Sequence, residues 1–361
     1  MTIVLISGSA SGTFSCRMLA DRLRRAGRHA LVVSKLERTN NSPFPTDLIE
    51  ADLRLSPNEF LNSSLLEKTT ALGVFLDGNK FDDFVVSYRR ICRETNLRQV
   101  PIFSGPLYPL VGDALIHDLA ARQHADVLLV QGQRQLDEVA AMTYNWGDLF
   151  PPVIAVGLWF MPERPGIGQL NGNGSLENTK TTNTLLMIAQ SDVPNTKRLR
   201  FDLFQRMWSL ATSASPEDWK VIIGMDHQRD TPTTWTSDER LQTNEKPSNL
   251  FFTSQERLLS QIAECDVCVT VSSPWILTAM AWGKRVMLIG DYGIKGPLRT
   301  TPYLGSGAMH NLDNFPKLSN FKKLTRINQH WLNSMGWAVF DGPKRLIRAL
   351  ENHQQGSPIN P

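Results

Sequence analysis

The sequence predicts an α/β protein of two doubly wound domains, and three observations carry that expectation. Short apolar runs alternate with helix-length segments along both halves of the chain, which requires crossover connections and parallel sheets covered on both faces. At 361 residues the chain exceeds one ordinary core and suits two domains. Between the halves, residues 162–183 turn to Gly, Asn, Thr and Pro with almost no apolar content, a composition that no core absorbs.

The first run, Ile3 to Ser7, is a strand that ends in Ser7-Gly-Ser-Ala-Ser-Gly-Thr13. The spacing of Cys16, Leu19, Ala20 and Leu23 predicts a helix from Phe14 to Ala26, stopped by Gly27. Ala30 to Ser34 is the next strand, and the polar, Pro-containing stretch from Arg38 to Pro57 holds short irregular pieces. Strands follow at Ala71–Leu76, Pro101–Phe103, Ala125–Val130 and Val153–Val156. Helices at Phe81–Thr95, Ala114–Arg122 and Gln133–Tyr144 separate them.

The alternation resumes with a strand at Leu185–Ala189, a helix at Arg198–Ser213 with Trp208 inward, and a strand at Lys220–Gly224. A polar insert, Asp226 to Ser248, precedes a strand at Leu250–Phe252 and a helix at Ser254–Glu264. Terminal helices fall at Gln329–Met335 and Lys344–Glu351. The expected organisation is a first domain over 1–161, a linker over 162–183, a second domain over 184–351 and a flexible tail over 352–361. Ligands of such sheets bind beyond the carboxyl ends of the strands, so the two domains are expected to face across a cleft that holds the site.

The richest segment runs from Glu264 to Gly293: a buried strand, Asp266 to Val271, a Ser-Ser-Pro turn, a short small-residue helix, and a strand at Val286–Ile289. Ser272 and Ser273 stand at a helix N-terminus with Pro274 suited to the first helical position. Such an end gathers unpaired N–H groups and favours an anion, typically a phosphate. Plain capping explains the serines as well, and one hydroxyl serves either purpose. Asp291-Tyr-Gly-Ile-Lys295 and Gly305-Ser306-Gly307 add small polar turns close by in sequence.

Lys plus Arg number 38 against 35 Asp plus Glu, a net charge of +3 that argues against a dedicated nucleic-acid binder. No apolar run approaches the roughly 20 residues that span a bilayer, and no basic region precedes the first strand. The expectation is a cytoplasmic protein without an integral membrane segment, with contact to a membrane surface left open. The four cysteines are too few for a disulfide framework, and Cys265-Asp-Val-Cys268 lies in a strand pattern with no second pair to complete a metal site. Trp208, Trp219, Trp331 and Trp337 read as core anchors.

Gly8-Ser-Ala-Ser-Gly12 follows the first strand, and Gly8, Ser9 and Ser11 let an acceptor or phosphate approach the backbone. A plain strand-to-helix turn accounts for them equally. Gly105 opens a loop of the same kind after the fourth strand. Asp77-Gly78 and Gly112-Asp113 each set a carboxylate just past a parallel strand, where a general base for an acceptor hydroxyl belongs, and where a capping Asp also belongs. Gly224-Met-Asp-His227-Gln-Arg229 opens the polar insert, where His227 and Arg229 either donate hydrogen bonds to a phosphate or form an exposed loop pair.

The run Val269-Thr-Val-Ser-Ser-Pro-Trp-Ile-Leu-Thr-Ala-Met-Ala-Trp-Gly-Lys-Arg-Val-Met-Leu-Ile-Gly-Asp291 resembles the second-domain signature of GT-B glycosyltransferases of the bacterial capsule-polysaccharide and polysialyltransferase-like type. Tyr303-Leu-Gly-Ser-Gly307 and Asn311-Leu-Asp313 further resemble a related uncharacterised bacterial family. The resemblance implies the GT-B architecture of two Rossmann-like domains. It also implies transfer of a sugar from a nucleotide-sugar donor, CMP- or UDP-linked, to a glycan or lipid-linked acceptor, with no metal and no cofactor. On it, Ser272, Ser273, Thr278, Ser306 and Gly307 join His227 and Arg229 around the donor, Gly8, Ser9, Ser11 and Gly105 border the acceptor, and Asp113, Asp77 or His227 does the proton chemistry. The family's His-Pro or Lys-Pro element is departed from, since His227 has no Pro beside it. Two other functions stay open: a sugar-nucleotide epimerase on the same fold and a catalytically silent binding protein.

Overall fold

Each apolar run becomes a short parallel strand, because β-branched and leucine side chains pack on both faces of a covered sheet. The computed structural model describes residues 2–35, 50–144, 150–162, 182–190, 192–225, 246–253, 257–325 and 327–355. These fall into two compact units, Met1–Met161 with His330–Pro361, and Pro162–Gln329.

In the first unit β1 (Thr2–Ser7), β2 (His29–Val33), β3 (Ala71–Phe75), β4 (Ile102–Ser104), β5 (Val127–Val130) and β6 (Val153–Ala155) form one sheet in the order β2-β1-β3-β4-β5-β6. All pairs are parallel, with Ile3 opposite both Ala30 and Ala71. The intervening helices are α1 (Ala10–Arg25), α2 (Pro57–Leu61), α3 (Leu65–Lys68), α4 (Asn79–Thr95), α5 (Asp113–Ala120) and α6 (Gln133–Thr143). Phe60, Phe81 and Tyr88 are sealed in its core, each such burial being worth about 1.5–3 kcal/mol. α1 starts four residues earlier than the apolar spacing predicts, since Ser9 Oγ accepts from Gly12 N at 3.1 Å and caps the helix there. Ser11 and Gly12 are therefore helical.

In the second unit β7 (Asn183–Ala189), β8 (Trp219–Met225), β9 (Leu250–Thr253), β10 (Val267–Thr270), β11 (Arg285–Ile289) and β12 (Met309–His310) run in the order β12-β11-β10-β7-β8-β9. Helices α7 (Lys197–Thr212), α8 (Leu258–Glu264) and α9 (Trp275–Ala281) connect them. The chain winds outward from β7 through β8 and β9, then returns to the other side of β7 for β10, β11 and β12. The winding direction thus reverses between β7 and β10. Phe204 and Phe321 lie fully buried in this unit's core, with Trp208 packed at its margin.

The terminal segment departs from the expected 184–351 domain. α10 (Gln329–Leu332), a π-helical turn over Asn333–Trp337 and α11 (Gly342–Gln354) bring residues 330–355 into the first unit. α11 buries Leu346, Ile347 and Leu350 and packs on α1 and β6. Glycines make the approach feasible: a Cβ on Gly336 would lie on the Gln131 carbonyl, and one on Gly342 on that of Val156. Arg28 pairs with Glu351 at 2.5 Å, and Gln354 donates to the Thr70 carbonyl at 2.7 Å. Most of the expected linker, including all of 163–181, lies outside the described residues, as do 356–361 of the expected tail. Among the described residues no helix is long and apolar enough to cross a membrane.

Candidate functional site

In the second unit the point where winding reverses lies between the carboxyl ends of β7 and β10, the usual ligand position in open α/β sheets. β7 leads into Gln190 and β10 into Val271-Ser272-Ser273, and the two loops meet there. Gln190 Oε1 accepts from Ser272 N at 3.2 Å and from Ser272 Oγ at 3.3 Å. Ser273 N donates to Thr270 Oγ1 at 3.2 Å, and the Tyr303 hydroxyl donates towards the Ser273 carbonyl at 3.3 Å. Ser272, Ser273 and Gln190 are all buried.

The serine turn therefore sits where the sequence places it, yet the Ser272 hydroxyl is spent on Gln190. Pro274 has helical angles, φ −57 and ψ −23, at the capping position rather than inside the helix. Ser273 Oγ accepts from Trp275 N at a loose 3.4 Å. Thr278 is buried one turn into α9, and Ser306 is buried with its Oγ accepting from Ala308 N at 3.1 Å. Gly307 turns the chain at φ 74. His227 and Arg229 lie outside the described residues.

Two exposed cations at this edge belong to the loop after β11. Arg299, exposed, is held by Asp192 of the loop after β7 at 2.8 Å. Its backbone has φ 54 and ψ 30, a left-handed conformation uncommon for a side-chain-bearing residue. Lys295 is exposed in the same loop, and its backbone N donates to Thr300 Oγ1 at 3.3 Å. Asp291 faces inward: it accepts from Arg206 at 2.5 Å and from Leu312 N at 2.9 Å, while Asp313 reaches Arg206 at 3.0 Å. The Asn311-Leu-Asp313 motif is thereby a brace between α7 and β11. Arg299 escapes sequence reading because an Arg in a polar turn carries no motif. The Gly293-Ile-Lys295 turn is the one visible signal nearby.

In the first unit Asp77 and Asp113 are both exposed beyond β3 and β4, and neither carboxylate has a partner among the described residues. Gly112, not Asp113, occupies the capping position of α5, so Asp113 lies in the helix's first turn with no capping bond. Asp118 on α5 has its carboxyl raised above the ordinary range, chiefly by burial, with Arg122 opposing and Asp77 adding to the rise. Gly105 is a packing position: a Cβ there would stand 2.9 Å from Leu129 Cβ and closer still to the Leu129 carbonyl oxygen. Ser9 and Ser11 hydroxyls contact one another at 3.4 Å at the start of α1.

A cavity of about 570 Å³ opens at the carboxyl ends of β1, β2 and β3. Gly8 is on its wall, and so are Lys80 and Asp83 of α4. These two charges look, from sequence, like any solvated helix face.

A family model described as "Putative glycosyltransferase (DUF6716)" matches residues 85–345, well over half of the chain. No curated protein matches in sequence. Among solved structures the chain is similar to a "putative UDP-N-acetylglucosamine 2-epimerase" from Listeria monocytogenes, with TM-score 0.63 and 12% identity over 100% of this chain and 98% of that one. It is similar to the UDP-GlcNAc 2-epimerase from Neisseria meningitidis bound to UDP-GlcNAc, with TM-score 0.60 and 12% identity over 98% and 100%. The S. aureus MnaA–UDP structure gives TM-score 0.59 and 12% identity over 98% and 97%. At such identities the likeness is one of fold.

Proposed function

The chain belongs to the DUF6716 family, and on that premise we propose that it moves a sugar from a CMP- or UDP-linked donor to an acceptor hydroxyl, without a metal. Arg299 carries the donor half of this reading. A non-glycine residue in the left-handed region costs about 1–3 kcal/mol and persists where surrounding contacts over-determine it, often at ligand clamps. Here Asp192 fixes the guanidinium beside the reversal of winding, and a guanidinium is the side chain best matched to phosphate oxygens.

On this reading Arg299 and Lys295 hold the donor phosphates together with His227 and Arg229 of the insert. Ser272 keeps the turn in shape through Gln190 and Ser273 through Thr270, and Thr278, Ser306 and Gly307 support it. Asp77 or Asp113 takes the proton of the acceptor hydroxyl as its oxygen bonds to the anomeric carbon. The breaking C–O bond leaves its electron pair on the nucleotide phosphate, where the cations stabilise the new charge. Acceptor-dependent release of UDP or CMP from a nucleotide-sugar panel, followed by chromatography, tests the reading. Tight nucleotide binding without any transfer in the presence of glycan and lipid-linked acceptors counts against it.

The fold similarity to structures named as UDP-GlcNAc 2-epimerases favours one second reading, epimerisation of the donor sugar. Proton NMR of UDP-GlcNAc with the protein and no acceptor separates the two: epimerisation yields a new anomeric signal, whereas transfer yields none.

A further inference from the structure

The cavity of the first unit is lined by a set of groups that selects a ligand class. Hydrogen-bonding groups come from three elements or their flanks: Ser34 after β2, Ser56 and Asn58 at α2, Ser87 on α4. Apolar surface is supplied by Pro57, Leu76 and Phe84, the last two largely buried. A lipid chain wants continuous apolar wall, and a peptide wants a groove with backbone partners. A pyranose ring presents donors and acceptors around its rim and C–H groups on its faces, which is the pattern of this wall.

The charges on the wall cancel. Lys35 is neutralised by Glu59 at 2.8 Å, and that carboxyl is held down to about 2, first by its hydrogen bond to Lys35. Lys80 and Asp83 stand three residues apart on α4, opposite in sign, with no ion-pair partner among the described residues. Both are free to bond to hydroxyls, and their formal charges are opposite.

Resting on the glycosyltransferase reading above, we propose that this cavity seats the acceptor and that the acceptor's bound end is an uncharged sugar. A glycan terminus enters with one ring against Phe84 and its hydroxyls on Asp83, Lys80 and the serines. Acidic sugars and polyprenyl phosphates are poor occupants.

Saturation-transfer NMR with lactose and maltose as neutral probes, 3′-sialyllactose and glucuronate as acidic probes, and a short polyprenyl phosphate tests this, with UDP and CMP binding measured separately by calorimetry. The expected result is binding of the neutral sugars, weakened about tenfold or more in Asp83→Ala, as loss of a charge-assisted hydrogen bond implies. Ser87→Trp, which puts an indole into the cavity, abolishes it. Nucleotide binding is unchanged in both variants. Preference for an acidic or lipid probe, or unaltered sugar binding in both variants, overturns the proposal. Nucleotide binding with no sugar binding overturns it while leaving the glycosyltransferase reading in place. Sugar binding with no nucleotide binding overturns that reading instead.

Discussion

Replacing Gly336 by Ala tests the seam that binds the terminal segment to the first unit. Gly336 has φ 100 and ψ 5, outside the angles an alanine adopts readily. Its added Cβ would meet the Gln131 carbonyl, standing 2.6 Å from the carbonyl carbon and 3.2 Å from Gly132 N. The neighbour is backbone at the start of α6, so it cannot swing aside as a flexible side chain would. Left-handed strain costs about 1–2 kcal/mol and overpacking about 1–3 kcal/mol, so the variant loses about 2–5 kcal/mol, a large part of a typical domain stability. Gly27 supplies the control. It has φ 80 with nothing within 4 Å of an added Cβ, so Gly27→Ala incurs the strain alone, about 1–2 kcal/mol. Urea unfolding of both variants, read by hydrogen exchange in peptides of β5, β6 and α11 against peptides of β7 and β8, resolves the units. The reasoning fails if Gly336→Ala costs no more than Gly27→Ala, or if the lost protection appears equally in β7 and β8.

Arg299→Gly should split stability from binding: removing the left-handed strain raises stability by about 0.5–1 kcal/mol, while UDP or CMP affinity by calorimetry falls at least about tenfold. Gln190→Ala leaves Ser272 N and Oγ buried without their acceptor, so chemical denaturation should show a loss of about 1–3 kcal/mol. Glu59 should titrate near 2 by carbon-13 NMR, its carboxylate held first by the hydrogen bond to Lys35 and then by Ser56. Because its folded pKa lies below the unfolded one, the stabilisation is complete above the ordinary range near 4.5 and disappears as pH falls towards 2. Lys35→Met should move that midpoint upward.

Strands were legible where side chains make a near-continuous apolar run, as in Ile3 to Ile6 or Leu185 to Ala189, because burial on both faces leaves no other composition workable. β12 has only Met309 and His310, and pairs with Leu288 and Ile289 through backbone groups that composition does not reveal. The same distinction runs through the site. The serine turn announced itself locally, but its partner Gln190 lies 82 residues earlier, and only the sheet order joins them. Residues 330–355 carry an ordinary amphipathic helix whose pattern says that one face is buried, not against which sheet. The glycines that settle the matter, Gly132 and Gly336, are single residues some 200 positions apart.

That returning segment makes the second unit an insertion within the first, and this orders events during synthesis. Residues 182–329 emerge as one contiguous stretch and can complete their sheet as soon as the last of them is available. The first six strands are made earlier, yet the surface that Leu346, Ile347 and Leu350 cover stays bare until α11 has been made. The sheet made first is thus completed after the one made second, and for that interval its apolar flank depends on whatever shelters unfolded chains.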